Sequence, residues 1–279
     1  PEITKLYDGC WAIEEENVRF FLLEGSESAL LIDSGMNTPD AKQIVRSLTA
    51  KPLRLLNTHA DPDHISGNAA FSEFMMHPAE ADNLLDHGGS AAGLKAVSGG
   101  DTLDLGGRPL AIIDLPGHTP GSIAVLDVNA RTLYSGDPIQ DGNIYMFGAR
   151  RDMALYIESL TALWDDHRGK FDLVYPSHGS FPVSPAIIPQ LIAGAQAIAD
   201  GLPERPRYHT DDTALPMREY INYQRRFIDQ CAAGCIEKHR TVAHRRKARR
   251  VHQMPRFRRQ GDRHDDDIRL AERLIELVH

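Results

Sequence analysis

The 279 residues are 42% hydrophobic, enough to bury a large core as one α/β domain or as a domain with an appendage. The formal net charge of −8 is uneven, because residues 238–263 hold eleven Lys or Arg and one acidic residue. Charged residues interrupt every apolar run before the roughly 18 residues that a membrane helix needs, and three cysteines give no disulfide framework. We therefore expect a soluble protein without a membrane span, with reduced thiols, in the cytoplasm.

The start of the chain predicts antiparallel strands followed by a helix. Apolar patterns predict four strands, over residues 3–7, 10–14, 19–23 and 29–32. Helical spacing predicts a helix over residues 38–49, with Thr38 as its cap and Pro39 in its first turn. A short buried strand is predicted over residues 53–57, and a dense polar run follows it directly.

The alternation of strands and helices continues to residue 199. Helices are predicted over residues 68–74, 79–85, 153–163 and 185–199. Strands are predicted over residues 74–76, 110–114, 123–127, 132–135 and 173–175. Residues 88–100, rich in Gly, Ser and Ala, predict a surface loop, with a mobile flap as the alternative. This order predicts two layers of sheet enclosed by helices.

The regular pattern fades after about residue 200. We predict a folded catalytic domain over residues 1–200 and a C-terminal extension over residues 201–279 with the basic segment 238–263. Such charge runs are usually solvated, and nucleic-acid binding is the alternative. The expected partner is a small-molecule substrate rather than nucleic acid or a membrane, and a homo-oligomer is left open.

Within the polar run from Thr58 to His64, two imidazoles and two carboxylates lie in the six residues 59–64. Imidazole and carboxylate are ligands that suit zinc, iron or manganese. Three later turns each add one such residue where a predicted strand ends, and rigid scaffolds usually present catalytic groups on loops of this kind. Together the turns supply enough ligands for two metal ions that share a carboxylate: His59, Asp61, Asp63, His64, His118, Asp137 and His178.

In order and spacing these residues resemble the metallo-β-lactamase superfamily, whose usual first motif is His-x-His-x-Asp-His, followed by a Gly-His, a Gly-Asp and a late His. The resemblance covers roughly residues 3–200 and rests on four separate motifs. It implies an αββα sandwich of two mixed sheets flanked by helices. It also implies metal-dependent hydrolysis of a small molecule such as an ester, thioester, lactone or amide. Two divalent ions are implied, with zinc expected first and iron or manganese as alternatives.

The resemblance also implies a role for each residue. It assigns His59, Asp61 and His118 to a first ion, Asp63, His64 and His178 to a second, and Asp137 to both. A metal-bound hydroxide would then attack a carbonyl or phosphoryl centre. Asp63 would be catalytic as well, orienting that hydroxide or moving its proton to the leaving group.

Asp61 stands where the family usually has His. With His there, two divalent ions, two carboxylates and a hydroxide sum to a single positive charge, whereas Asp61 brings the sum to zero. We therefore expect a less acidic bridging water, or a preference for iron or manganese over zinc. A carboxylate here also resembles the flavodiiron proteins of the same superfamily, so a di-iron redox protein is the main alternative. A third possibility is a degenerate metal-binding protein whose tail binds a polyanion.

The loop over residues 138–152 holds the candidate substrate-binding residues Tyr145, Phe147 and Arg150. Its apolar side chains would form a pocket wall, and its arginines would bind an anion. The alternative is that the apolar side chains pack under the loop and the arginines are solvated. The turn at residues 33–35 is predicted to support a ligand from behind.

Overall fold

The computed structural model describes residues 1–146, 148 and 150–200. Phe147 and the C-terminal extension with its basic segment lie outside the described residues. Among the helices of the described part, none is long and apolar enough to cross a membrane.

Seven strands form the first sheet in chain order. They are β1 (Glu2–Tyr7), β2 (Cys10–Glu14), β3 (Arg19–Glu24), β4 (Ala29–Ile32), β5 (Leu53–Leu56), β6 (Phe74–Met76) and β7 (Leu94–Ala96). Strands β1 to β4 pair antiparallel, and β4 to β7 pair parallel. The predicted antiparallel start is confirmed.

Five strands form the second sheet in the order β12-β11-β10-β9-β8. They are β8 (Thr102–Asp104), β9 (Pro109–Asp114), β10 (Ile123–Asp127), β11 (Thr132–Gly136) and β12 (Leu173–Pro176). Strands β11 and β12 pair parallel and the other neighbours pair antiparallel, so both sheets are mixed.

The helices are short except for the last two. They are α1 (Ala41–Arg46), α2 (Pro62–Ile65), α3 (Ala81–Asp86), α4 (Met153–His167) and α5 (Ile187–Ala199). Helices α1 and α3 pack on the outer face of the first sheet, and α4 and α5 pack on the outer face of the second. The αββα sandwich predicted by the sequence is confirmed.

Strand β3 shows how alternation builds the layers. Phe21 and Leu23 point into the core between the two sheets, whereas Phe20 and Leu22 point toward α1 and α3. Successive side chains of a strand face opposite sides, so a fully apolar strand can fill two cores at once.

Several predicted elements differ from the structure. Helix α1 begins only at Ala41, and Thr38 does not cap it, because the Thr38 hydroxyl donates to the Glu15 carboxylate instead. The helix predicted over residues 68–74 is a single 3-10 turn (Asn68–Ala70), after which Phe71 turns extended and buries in the core. The loop predicted over residues 88–100 contains β7, an edge strand too short to show a pattern.

Candidate metal centre

Four loops at strand ends bring the predicted ligands to one edge of the sandwich. The first loop leaves β5, the second joins β9 to β10, and the other two follow β11 and β12. A backbone hydrogen bond from Ile123 N to Thr58 O (2.9 Å) joins the two sheets at this edge. Helix α2 then carries Asp63 and His64, so the polar run is partly helical.

The seven side chains form two adjacent groups whose ligand atoms lie within 4.8 Å of one another in each group. The His59 group consists of His59, Asp61 and His118, and the His64 group consists of Asp63, His64, Asp137 and His178. Asp137 faces both: its Oδ1 lies 3.2 Å from Nε2 of His64 and of His178, and its Oδ2 lies 3.5 Å from His118 Nε2.

Each of the four histidines in the two groups has its Nδ1 atom hydrogen-bonded to a neighbour, which leaves its Nε2 atom facing the centre. His118 Nδ1 donates to Tyr145 O (2.9 Å), and His178 Nδ1 donates to Asn17 O. His64 Nδ1 donates to Asp33 Oδ2 (2.9 Å), and His59 Nδ1 lies 3.0 Å from Thr58 Oγ1. Because Thr58 Oγ1 donates its own hydrogen to Asp33, it accepts from His59. A neutral imidazole protonated at Nδ1 presents a lone pair at Nε2, the form that binds metal.

The buried atoms at the centre fit a metal ion. The Nε2 atoms of His59, His64 and His118 and the Oδ1 atom of Asp137 are buried without a hydrogen-bond partner in the described structure. Unpartnered buried polar atoms are costly, and they need an explanation such as an ion. Imidazole nitrogens and a carboxylate oxygen that face the two groups without hydrogen bonds of their own have the chemistry of divalent metal sites.

Charges within the cluster shift the acidity of its members. Burial alone would lower the pKa of His178, but Asp137 and Asp63 outweigh it and raise that pKa to about 10. Burial raises the pKa of Asp137, yet His178 and His64 together hold it well below its usual value. Burial and the Arg151 guanidinium lower the pKa of His118. Without a metal ion, the two carboxylates therefore favour the protonated form of His178, and a divalent ion would take the place of that proton.

Asp33 supports the cluster from behind. Its carboxylate accepts hydrogen bonds from Thr58 N (2.7 Å), Thr58 Oγ1 (2.8 Å) and His64 Nδ1 (2.9 Å). Asp33 is 1% exposed and has a positive φ of 65°, a conformation that Asp tolerates better than most residues. One buried carboxylate thus fixes both ends of the polar run, as the turn at residues 33–35 was predicted to do.

Glu80 is a site residue that the sequence did not single out. It is fully buried, and it accepts hydrogen bonds from Ala60 N (2.8 Å) and Gly121 N (2.7 Å). Ala60 follows His59, and Gly121 lies three residues after His118, so Glu80 ties together the two loops that carry the His59 group. Asn83 connects Glu80 to Asp61 by donating to both. No local motif marks Glu80, because its partners are distant in sequence.

Gly117 sets the backbone in front of His118. It has a φ of +127°, and a Cβ atom there would lie 2.4 Å from the backbone nitrogen of Tyr156. We expect Gly117→Ala to lower the free energy of unfolding by about 3 kcal/mol, because strain and a backbone clash add. Gly100→Ala is the matched control, since Gly100 has a φ of +93° but open space around it. Urea titration of both variants checks this, and equal losses would contradict the role of the clash.

The candidate substrate-binding residues have mixed positions. Tyr145 is 37% exposed beside His118, which bonds to its backbone oxygen. Arg150 pairs with the exposed Asp86, and Phe147 lies outside the described residues. The neighbouring Arg151 pairs with Asp61, Nη2 to Oδ2 at 2.5 Å. The charge count made from the sequence was therefore incomplete, because it left out a cation in contact with Asp61.

Comparison with known proteins agrees with this geometry. The family model of the metallo-beta-lactamase superfamily matches residues 14–178. The chain belongs to this superfamily. It is a hydrolase of that superfamily, as the sequence predicted, and the superfamily's members bind divalent metal ions.

Relatives and solved structures give further detail. The chain is 28% identical over 196 residues to the acyl-coenzyme A thioesterase MBLAC2 of Gallus gallus, covering 57% of this chain and 71% of the relative. It is 34% identical over 125 residues to a hydroxyacylglutathione hydrolase of Hyphomonas neptunium, covering 41% of this chain and 44% of that protein. The chain thus spans less than half of the latter.

The fold is similar to that of solved metallo-beta-lactamases. One is FIM-1 from Pseudomonas aeruginosa in its mono-zinc form, which aligns with a TM-score of 0.59 and 21% identity. The alignment covers 72% of this chain and 96% of FIM-1. A metallo-beta-lactamase from Pontibacter korlensis aligns with a TM-score of 0.58 and 17% identity, covering 70% and 98%. At these identities the likeness shows the shared fold.

Proposed function

We propose that this protein is a dinuclear metal-dependent hydrolase whose substrates are small thioesters. The observation that carries the proposal is the pair of adjacent ligand groups with Asp137 facing both. A single metal site would not need a carboxylate whose two oxygens point toward different sets of imidazoles. The unpartnered Nε2 atoms support the same conclusion.

The His59 group would hold one ion, the His64 group the other, and Asp137 would bridge them. When bound, such ions polarise a substrate carbonyl and lower the pKa of water, so that hydroxide is available to attack that carbonyl. Asp63 is placed to act in addition to binding metal, because its Oδ2 lies 3.1 Å from His178 Nε2 and its side chain remains 22% exposed. An ionised carboxylate at this rim can orient a water molecule and carry a proton toward the leaving group.

Thioesters are the substrate class that the relatives favour. Their names give two different substrates, acyl-coenzyme A and hydroxyacylglutathione, and in both the acyl group is carried on a thiol. The loop over residues 138–152 would then contact the substrate through Tyr145, Phe147 and Arg150. Arg150 would leave Asp86 to bind an anionic group of the carrier, an exchange that a partly exposed ion pair permits at modest cost.

We expect the purified full chain to hydrolyse thioesters faster than oxygen esters, lactones, β-lactams or phosphodiesters. The measurement is kcat/KM on acyl-coenzyme A, on hydroxyacylglutathione and on the other four classes, before and after chelation. Readdition of zinc, manganese or iron should restore the activity. Thioester turnover that survives complete removal of metal would contradict the proposal.

Two other outcomes would identify the alternatives. Bound iron with oxygen consumption that depends on an electron donor, and no hydrolysis, would indicate a di-iron redox protein. Less than one metal ion per chain after loading, with no turnover, would indicate a degenerate metal-binding protein. Elemental analysis of the same preparation separates these cases from the proposed hydrolase.

A further inference from the structure

Arg151 forms an ion pair with Asp61 directly beside the His59 group. Its Nη2 atom lies 2.5 Å from Asp61 Oδ2. The same oxygen lies 3.4 Å from His118 Nε2 and 3.5 Å from His59 Nε2. Both partners of the ion pair are only 13% exposed, so water and salt screen the guanidinium charge much less than on an open surface.

The backbone holds Arg151 in this place. Arg151 N donates to Gly148 O (3.3 Å), and the next residue, Asp152, donates from its own N to Gly117 O (2.8 Å). The Asp152 side chain also caps α4 by accepting from Leu155 N (3.0 Å). Arg151 is therefore fixed between a turn and a helix start, and the backbone contact at Gly117 is adjacent to His118.

The other oxygen of Asp61 is held independently. Asn83 Nδ2 donates to Asp61 Oδ1 at 3.0 Å, and Asn83 also contacts the buried Glu80. Asp61 would thus keep one fixed oxygen if Arg151 lost its charge. This arrangement lets the charge of Arg151 be tested apart from the placement of Asp61.

We propose that Arg151 is a positioning residue that cancels the charge of Asp61, so that the pair is electrostatically equivalent to the neutral imidazole usual at this position. The single positive charge that Asp61 would remove from a two-metal site is thereby restored. The inference rests on the proposed function, because it concerns the affinity of the site for a cation.

The test measures zinc binding by the full chain, with a chromophoric chelator as competitor, and reports the product of the two dissociation constants. The variants are Arg151→Met, Arg151→Lys, Asp61→His and the double variant Asp61→His/Arg151→Met. Removing a positive charge close to a divalent ion should tighten binding about tenfold or more. We expect Arg151→Met to bind zinc more tightly than the wild type by this factor, and the double variant to bind zinc more tightly than Asp61→His by the same factor.

Two further results are expected. Arg151→Lys keeps the charge and should bind zinc within about threefold of the wild type, and the double variant, which restores the wild-type net charge, should bind within about fivefold of it. A purely structural role predicts the opposite sign, because Asp61 would lose support and binding would weaken in Arg151→Met. That result, or an equal change in Arg151→Lys, overturns the inference. A wild type that binds no zinc overturns the proposed function instead.

Discussion

In the proposed dinuclear site, replacing Asp137 by Asn is expected to reduce bound metal from two ions per chain to one or fewer, and to lower kcat/KM by about a thousandfold. The amide keeps the shape of the side chain but removes the charge that faces His64, His178 and His118. Both ions would lose a shared ligand, so neither group alone would retain its geometry. Elemental analysis and steady-state kinetics on the best thioester substrate measure the two effects.

The matched control is Asp172→Asn. Asp172 is an exposed aspartate whose carboxylate pairs with Arg131 on the surface. The two residues precede β12 and β11, at the ends of these strands opposite the ligand loops. Metal content and kcat/KM should equal those of the wild type. Two metal ions and full activity in Asp137→Asn would show that Asp137 does not bridge, and would leave the His59 and His64 groups as independent sites.

The candidate metal ligands were predictable because they stand at the ends of recognisable strands. A turn after an apolar run indicates where a strand delivers its next side chain, and four such turns named all seven polar residues that the structure brings together. Strands β3, β10 and β11 were equally clear, since their apolar runs are bounded by turn residues. Strand β8 was missed because three exposed or half-exposed residues at a sheet edge carry no periodic signal.

The partners of the ligands were not predictable in the same way. Arg151 reaches Asp61 across 90 positions, and Glu80 reaches Ala60 and Gly121 across 20 and 41 positions. Such pairings depend on how loops from different strands meet, which no local pattern encodes. This has a chemical consequence. The expected preference for iron or manganese assumed that no cation offsets the negative charge of Asp61, whereas Arg151 forms an ion pair with it. Zinc thus stays the first ion to test.

Glu80→Gln is the second substitution with a large expected effect. Each oxygen of Glu80 accepts a backbone N–H, from Gly121 at one and from Ala60 at the other, and Asn83 donates to the latter as well. An amide offers only one accepting oxygen, so in either orientation its NH₂ group must face a backbone N–H. We expect the free energy of unfolding to fall by about 3 kcal/mol. The variant leaves a buried backbone N–H without an acceptor and loses a hydrogen bond to a charged group.

The same change should loosen the His59 group, because Glu80 joins the loops that carry His59 and His118. We expect zinc affinity to fall about tenfold, the lower end of what outer support residues contribute to metal sites. Glu73→Gln is the control, since Glu73 is an exposed glutamate paired with Lys95 on the surface. Urea titration of metal-free protein separates stability from metal binding. If Glu80→Gln unfolds at the wild-type midpoint, the two loops do not depend on its carboxylate, and their spacing is set by the sheets alone.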